Sequence, residues 1–313
     1  MPFLPVSRED MKERGIEQLD FICFTGDAYI DHPTFGIAII SRMIEAAGFS
    51  VGIISQPLCD ADYMKLGRPK YCFMVTGGNI DSMVSNYTVA LKKRNDDAYS
   101  PGGRGGRRPD RAVITYCTAL KRLFPDVEIS IGGLEASLRR FAHYDYWSDS
   151  VMPSILVDSG ADYLMYGMGE VTLSQMLNNF KAGLKLADMH DLRGICYLTK
   201  PENTPIGAVQ CDSFEMVRDS KKAYAKACRK QYDEQDEIYG RTIVQRHGNM
   251  MLVQNPPQRS VTQEEFDYAY ELPYMRTYHP MYEMDGGVPA ITEVEFSITH
   301  NRGCFGFCNF CSI

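Results

Sequence analysis

The stretch LDFICFTGDAYIDHPTFGIAIISRMIEAAG, Leu19 to Gly48, begins as one kind of structure and ends as another. Its first eight residues are a short, nearly continuous apolar run that stops at Gly26, as a buried strand does. Its second half, FGIAIISRMIEAAG, spaces apolar residues at helical intervals and closes on Gly48, a helix stop. Strand, glycine turn and helix form one unit, and the unit recurs. SVGIISQP supplies the next strand, ended by Pro57, and YCFMVTGG leads to a helix starting near Asn79. A Gly/Arg-rich loop follows, then the amphipathic RPDRAVITYCTALKRLF and the strand VEISIGG. DYLMYGMGE and GICYLT are strands on either side of a helix that begins after Glu170. Strands spaced by helices predict right-handed crossovers, so the fold class is α/β: a doubly wound, mostly parallel sheet of five or six strands over about residues 15–200.

Composition sets the frame. A chain of 313 residues with 44% apolar residues can bury at least one sizeable core. A net charge of -7 argues against a domain that wraps duplex nucleic acid. The longest apolar runs, such as Gly36–Ile40, fall far short of the roughly 18–20 residues that span a membrane. The start, MPFLPVSREDMKERG, has no long apolar core of a secretory signal, so a cytoplasmic protein is expected. Cytosolic thiols stay reduced, and clustered cysteines there point to metal or catalysis. Of ten cysteines, Cys23, Cys72 and Cys196 sit in strand-like runs and read as small buried hydrophobes. Cys59, Cys117, Cys211 and Cys228 are also single, and only Cys304, Cys308 and Cys311 cluster, as CxxxCxxC.

In doubly wound sheets ligands bind outside the carboxyl ends of the strands, where glycine turns let backbone amides approach a phosphate. Four turns have that character: Thr25–Gly36, TGGN at Thr76–Asn79, GGLEASLRR at Gly132–Arg140, and GMGE at Gly167–Glu170. Gly132, Gly133, Gly167 and Gly169 are the candidate cofactor-binding positions on one rim. The loop SPGGRGGRRPDR, Ser100–Arg111, places Arg104, Arg107 and Arg108 among glycines. It is either a lid over an anionic cofactor or a solvated connection.

Three units are expected: residues 1–200 as the Rossmann-like domain, 201–285 as a charged, proline-broken helical and extended connector, and 286–313 as a final unit. In the last, TEVEFSITH alternates Val294, Phe296 and Ile298 with polar residues, the period of a half-buried strand. The cysteines follow in the next loop. Three thiolates on a short glycine-containing loop suit a soft metal centre. Structural zinc wants four ligands and would have to recruit His300 or a remote thiol, whereas an iron-sulfur cube accepts three cysteines. Phe305, Phe307 and Phe310 either shield such a cluster or simply pack locally.

The spacing, with an aromatic directly before the third cysteine, resembles the signature of the radical S-adenosylmethionine (SAM) superfamily. With DAYIDHPTFG, GIISQP, SPGGRGGRRPDRAV and GGLEASLRRFAHYDYW, the chain from about Asp20 to Ile313 resembles the YgiQ family of radical SAM proteins. The resemblance implies that Cys304, Cys308 and Cys311 bind three irons of a [4Fe-4S] cluster whose open iron holds SAM, with Phe310 near the adenine. It implies reductive cleavage of SAM to a 5'-deoxyadenosyl radical that abstracts hydrogen from a substrate the sequence does not identify, with electrons from a flavodoxin- or ferredoxin-like donor. It also implies that residues 286–313 are the first strand and cluster loop of an incomplete radical SAM (β/α) barrel, so that the chain is expected to be the N-terminal part of a longer protein and inactive alone. The first domain is similar to the cobalamin-binding-like module of relatives. The DxHxxG signature of base-off cobalamin is not met, because His32 directly follows Asp31, so histidine ligation of cobalt is not implied. The alternative function is a non-catalytic nucleotide- or corrinoid-binding module with a structural zinc.

Overall fold

The computed structural model describes residues 2–300, 302 and 303. Strand β1 (Phe21–Thr25) lies parallel to β2 (Val51–Ser55) on one side and β3 (Cys72–Thr76) on the other. Next to β3 comes β4 (Glu128–Gly132), also parallel. A separate antiparallel hairpin of β5 (His143–Asp145) and β6 (Ser150–Met152) precedes β7 (Tyr163–Met165), which pairs in parallel with β4. Direction then reverses, since β8 (Ile195–Thr199) runs antiparallel to β7. The sheet is completed by β9 (Val209–Gln210), β10 (Ile243–His247) and β11 (Met250–Gln254), in the order β2-β1-β3-β4-β7-β8-β11-β10-β9. The α/β architecture and the parallel majority follow the strand and helix spacing of the sequence. Of the six main-sheet strands within residues 15–200, only β8 is antiparallel.

Two stretches differ from their sequence reading. Residues 201–285 are more than a helical and extended connector, because β9, β10 and β11 extend the same sheet through the register Leu252–Leu198 and Val253–Tyr197. The strand expected over TEVEFSITH is absent. Pro289–Glu293 is a 3-10 helix, and residues 297–300 have no regular structure. The physical reason is pairing: no strand among the described residues lies alongside to take a ladder. The amides turn inward instead, with Glu295 N donating to Ile291 O and Ser297 N to Val294 O, at 2.8 and 2.9 Å. Phe296 and Ile298, the intended buried face, are exposed.

Alternation along β1 feeds two cores. Phe21 and Cys23 join Ile37, Met43, Leu173 and Leu177 on one face, beneath the helices Gly36–Ala46 and Glu170–Lys181. Ile22 and Phe24 join Val113, Tyr116 and Leu120 on the other, beneath the helix Ala112–Leu123. Fully burying each such side chain contributes on the order of 1.5–3 kcal/mol.

The chain then returns to this domain. Tyr29–Asp31 binds the segment Met275–His279 by backbone bonds: Asp31 N to Thr277 O, Arg276 N to Asp31 O and His279 N to Tyr29 O, at 2.8–3.0 Å. At the centre the Arg42 guanidinium, wholly buried, pairs with Asp31, its Nε donating to Oδ1 at 3.1 Å. Asp31 also accepts from Met275 N at 3.0 Å. No helix among the described residues is long and apolar enough to cross a membrane.

Arg42→Ala strands a buried carboxylate and should cost about 3–5 kcal/mol in urea unfolding. Arg122→Ala, which breaks the exposed pair with Asp60, should leave the midpoint nearly unchanged. Burial pushes His247 down to about 4. The unfolded chain therefore binds the proton more readily, so this stability is present above pH 6.5 and lost as pH falls toward 4, worth up to about 3 kcal/mol. His247→Phe should flatten that part of the stability curve in unfolding titrations.

Candidate functional site

The chain steps from β1 outward to β2 and then back across to β3, so the carboxyl ends of β1 and β3 flank a topological switch point. A cleft of about 520 Å³ opens there. Its floor is read directly from one face of the sheet. Thr25, Thr76, Ser130 and Gly132 are the small residues at the ends of β1, β3 and β4, on the face that carries Cys23 and Met74 one step earlier. Farther back, the same face is filled by Phe21, Tyr71, Tyr163 and Phe180, with ring centroids 4.7–5.4 Å apart among Phe21, Tyr71 and Phe180. Small residues at one end and aromatics at the other leave a hollow that close packing would otherwise close.

Two helix starts wall the cleft, Gly36, Ile37 and Ile40 on one side and Met168, Gly169 and Glu170 on the other. Tyr270, Thr299 and Arg302 cover it. Arg302 pairs with Glu170, donates to the Tyr270 hydroxyl at 3.1 Å and lies over the stacked rings of Phe266 and Tyr270. Burial lowers the Arg302 pKa, but Glu170 and Tyr270 together raise it by more, so the guanidinium stays charged. All four glycines expected on one rim, Gly132, Gly133, Gly167 and Gly169, line this cleft. Gly133 has φ +82°, and a Cβ there would run into Thr76 Oγ1.

The arginine loop has a different place. Arg108 is buried, with Nη2 to Asp27 Oδ1 at 2.7 Å, Nε to Asp97 Oδ2 at 3.2 Å and Nη1 to the Gly77 carbonyl at 2.6 Å. Burial pushes its pKa down, but the two carboxylates push it further up. Its donors are spent on the wall of the cleft rather than offered to a ligand. Arg107 is exposed and 3.9 Å from Asp285, and neither arginine lines the cleft.

Residues 3–297 match the family described as Radical SAM N-terminal. The chain belongs to that family. It is 56% identical over 315 residues to a UPF0313 protein of Clostridium botulinum (strain Loch Maree / Type A3), covering 100% of this chain and 49% of the relative. A UPF0313 protein of Clostridium perfringens (strain ATCC 13124) is 50% identical over 314 residues, covering 99% and 47%. The chain spans about half the length of the curated relatives it matches.

In this radical SAM N-terminal chain several motif residues are structural. Glu135 of GGLEASLRR is buried and accepts from Ser82 N at 2.9 Å and Val113 N at 3.0 Å, closing two helix starts at once. Arg139 pairs with Asp81, and Arg140 donates to Gln254 at 2.6 Å. His32 of DHPTFG is buried, its Nδ1 receives the Thr34 amide at 3.2 Å, and it does not line the cleft. Glu170, Ser130 and Arg302 were missed as site residues. GMGE ends on Glu170, and that acidic residue opening a helix was the available signal.

Cys304, Cys308, Cys311 and Phe310 lie outside the described residues. Among those described, no group of three or more His, Cys, Asp or Glu could hold a metal ion. Cys23, Cys72 and Cys196 are fully buried, and burial pushes the Cys23 and Cys196 thiols up to about 12. Such thiols are poor ligands at neutral pH.

Arg108→Ala should destabilise the chain by about 3–5 kcal/mol in denaturant unfolding, because Asp27 and Asp97 would share a buried site without a cation. Arg107→Ala should leave the same transition unchanged.

Proposed function

We propose that this chain is the N-terminal part of a radical SAM enzyme in which Cys304, Cys308 and Cys311 hold a [4Fe-4S] cluster. The observation that carries this reading is the CxxxCxxC motif, which begins two residues after Arg302, within a chain of the radical SAM N-terminal family. The donor set fits: three thiols close in sequence would leave one iron open, while the described thiols are scattered and burial holds those of Cys23 and Cys196 up at about 12. When bound, the cluster supplies the electron that cleaves SAM, delivered by a flavodoxin- or ferredoxin-like donor. Phe310, the residue directly before the third cysteine, is the one we assign to the adenine. Arg302, two residues before the motif in sequence, is held at the cleft between Glu170 and the rings of Phe266 and Tyr270. The glycine rim and its cleft form a binding module that accompanies this centre, and the reaction is expected of the longer protein rather than of this half.

Anaerobic reconstitution of the full-length protein tests the proposal. About four irons and four sulfides per chain are expected. Replacing any one of the three motif cysteines by Ala should abolish assembly, while Cys59→Ala or Cys228→Ala should leave iron content intact. Reduction in the presence of SAM should release 5'-deoxyadenosine. One tightly held zinc on the same cysteines, with no iron retained, would overturn the reading in favour of a structural metal site.

A further inference from the structure

The cleft holds polar atoms that the fold itself does not use. The Ser130 hydroxyl on the floor, Oε2 of Glu170 on the wall and Nη2 of Arg302 on the roof are all buried without a hydrogen-bond partner. Ser130 is 1% exposed and Glu170 is 5% exposed. Buried polar atoms in native proteins are almost always satisfied, so three orphans around one hollow point to a molecule that completes them.

Charge narrows its chemistry. The cations and carboxylates at the cleft already answer one another, Arg302 with Glu170 and Arg108 with Asp27. A ligand bringing a formal charge would find no free counter-ion among the described lining residues, so an uncharged one suits the site. Most of the remaining wall is aliphatic or thioether, from Ile37, Ile40, Met74 and Met165, a lining that accepts a flat ring. At the mouth, Glu170 Oε2 can only accept and Arg302 Nη2 can only donate. A hydroxyl answers both. On the floor, the Ser130 hydroxyl can donate to or accept from a ring heteroatom.

From these atoms we infer that the cleft binds a nucleoside: an uncharged heteroaromatic base over Ser130, with a sugar hydroxyl between Glu170 and Arg302. The volume, about 520 Å³, lies in the range of small-molecule sites. Such binding uses no thiol and is independent of the cysteine motif.

The test uses this chain with Cys304, Cys308 and Cys311 all changed to Ala, so that cluster assembly cannot affect the outcome. Adenosine, guanosine, cytidine and uridine are titrated by calorimetry. At least one is expected to bind saturably at one site per chain. Its 2',3'-dideoxy analogue should bind at least tenfold more weakly to the same protein. Ser130→Leu, which fills the floor, should abolish binding with the thermal transition retained. The ligand comparison keeps the test decisive if that variant fails to fold. Binding of none of the four, equal binding of the dideoxy analogue, or binding of the 5'-monophosphates alone would overturn the inference.

Discussion

The Arg108 guanidinium, buried between Asp27 and Asp97, is the contact on which the cleft depends. It sits where β1 and β3 end and the chain would otherwise splay into loops. By donating also to the Gly77 carbonyl it ties three segments, the ends of the two strands and the arginine loop, into one wall. Gly78, at φ +107°, shows the tightness of this wall, since a Cβ there would strike both Asp27 and Arg108. Pairing a cation with two carboxylates compensates their desolvation only while the geometry is kept, so the wall holds as a unit or not at all.

A second buried pair performs the same service for the cover. Arg42, within the helix Gly36–Ala46, pairs with Asp31 in the segment before it, and Asp31 fixes the backbone of Met275 and Arg276. The chain that leaves the sheet after β11 is thereby brought back over its first unit. Tyr282 strengthens the return, its hydroxyl accepting from Tyr29 N at 3.0 Å. The helix Gln263–Glu271 and Arg302 consequently lie over the hollow left by the small floor residues. The cleft is a product of long-range contacts acting on a short-range pattern.

That division explains what could be read from the sequence. Strand and helix periodicity located β1 to β4, β7 and β8, because local alternation and glycine stops determine those elements. The glycine rim was legible for the same reason, and all four of its positions meet at one cleft. Arg108 was not, because RGGRR has the composition of a solvated loop and its carboxylates lie 11 and 81 residues away. Glu170 and Arg302 are separated by 132 residues, so their partnership leaves no local trace. The alternation in TEVEFSITH misled because period two states which face a strand would bury, not whether a neighbouring strand is there to pair with it.

Native-state hydrogen exchange on the unsubstituted chain tests most directly whether the cleft is preformed. The amides of Gly26, Ala28 and Asn79 donate to Thr76 O, Tyr99 O and Asp27 Oδ2, and so report on the wall that Arg108 holds. Glycine-rich connections usually open at little cost. These three amides should instead exchange with the same free energy and denaturant dependence as those of Ile22 and Phe73 inside β1 and β3. Rapid exchange of the three while the strand amides stay protected would show that the wall opens locally, and would contradict the account.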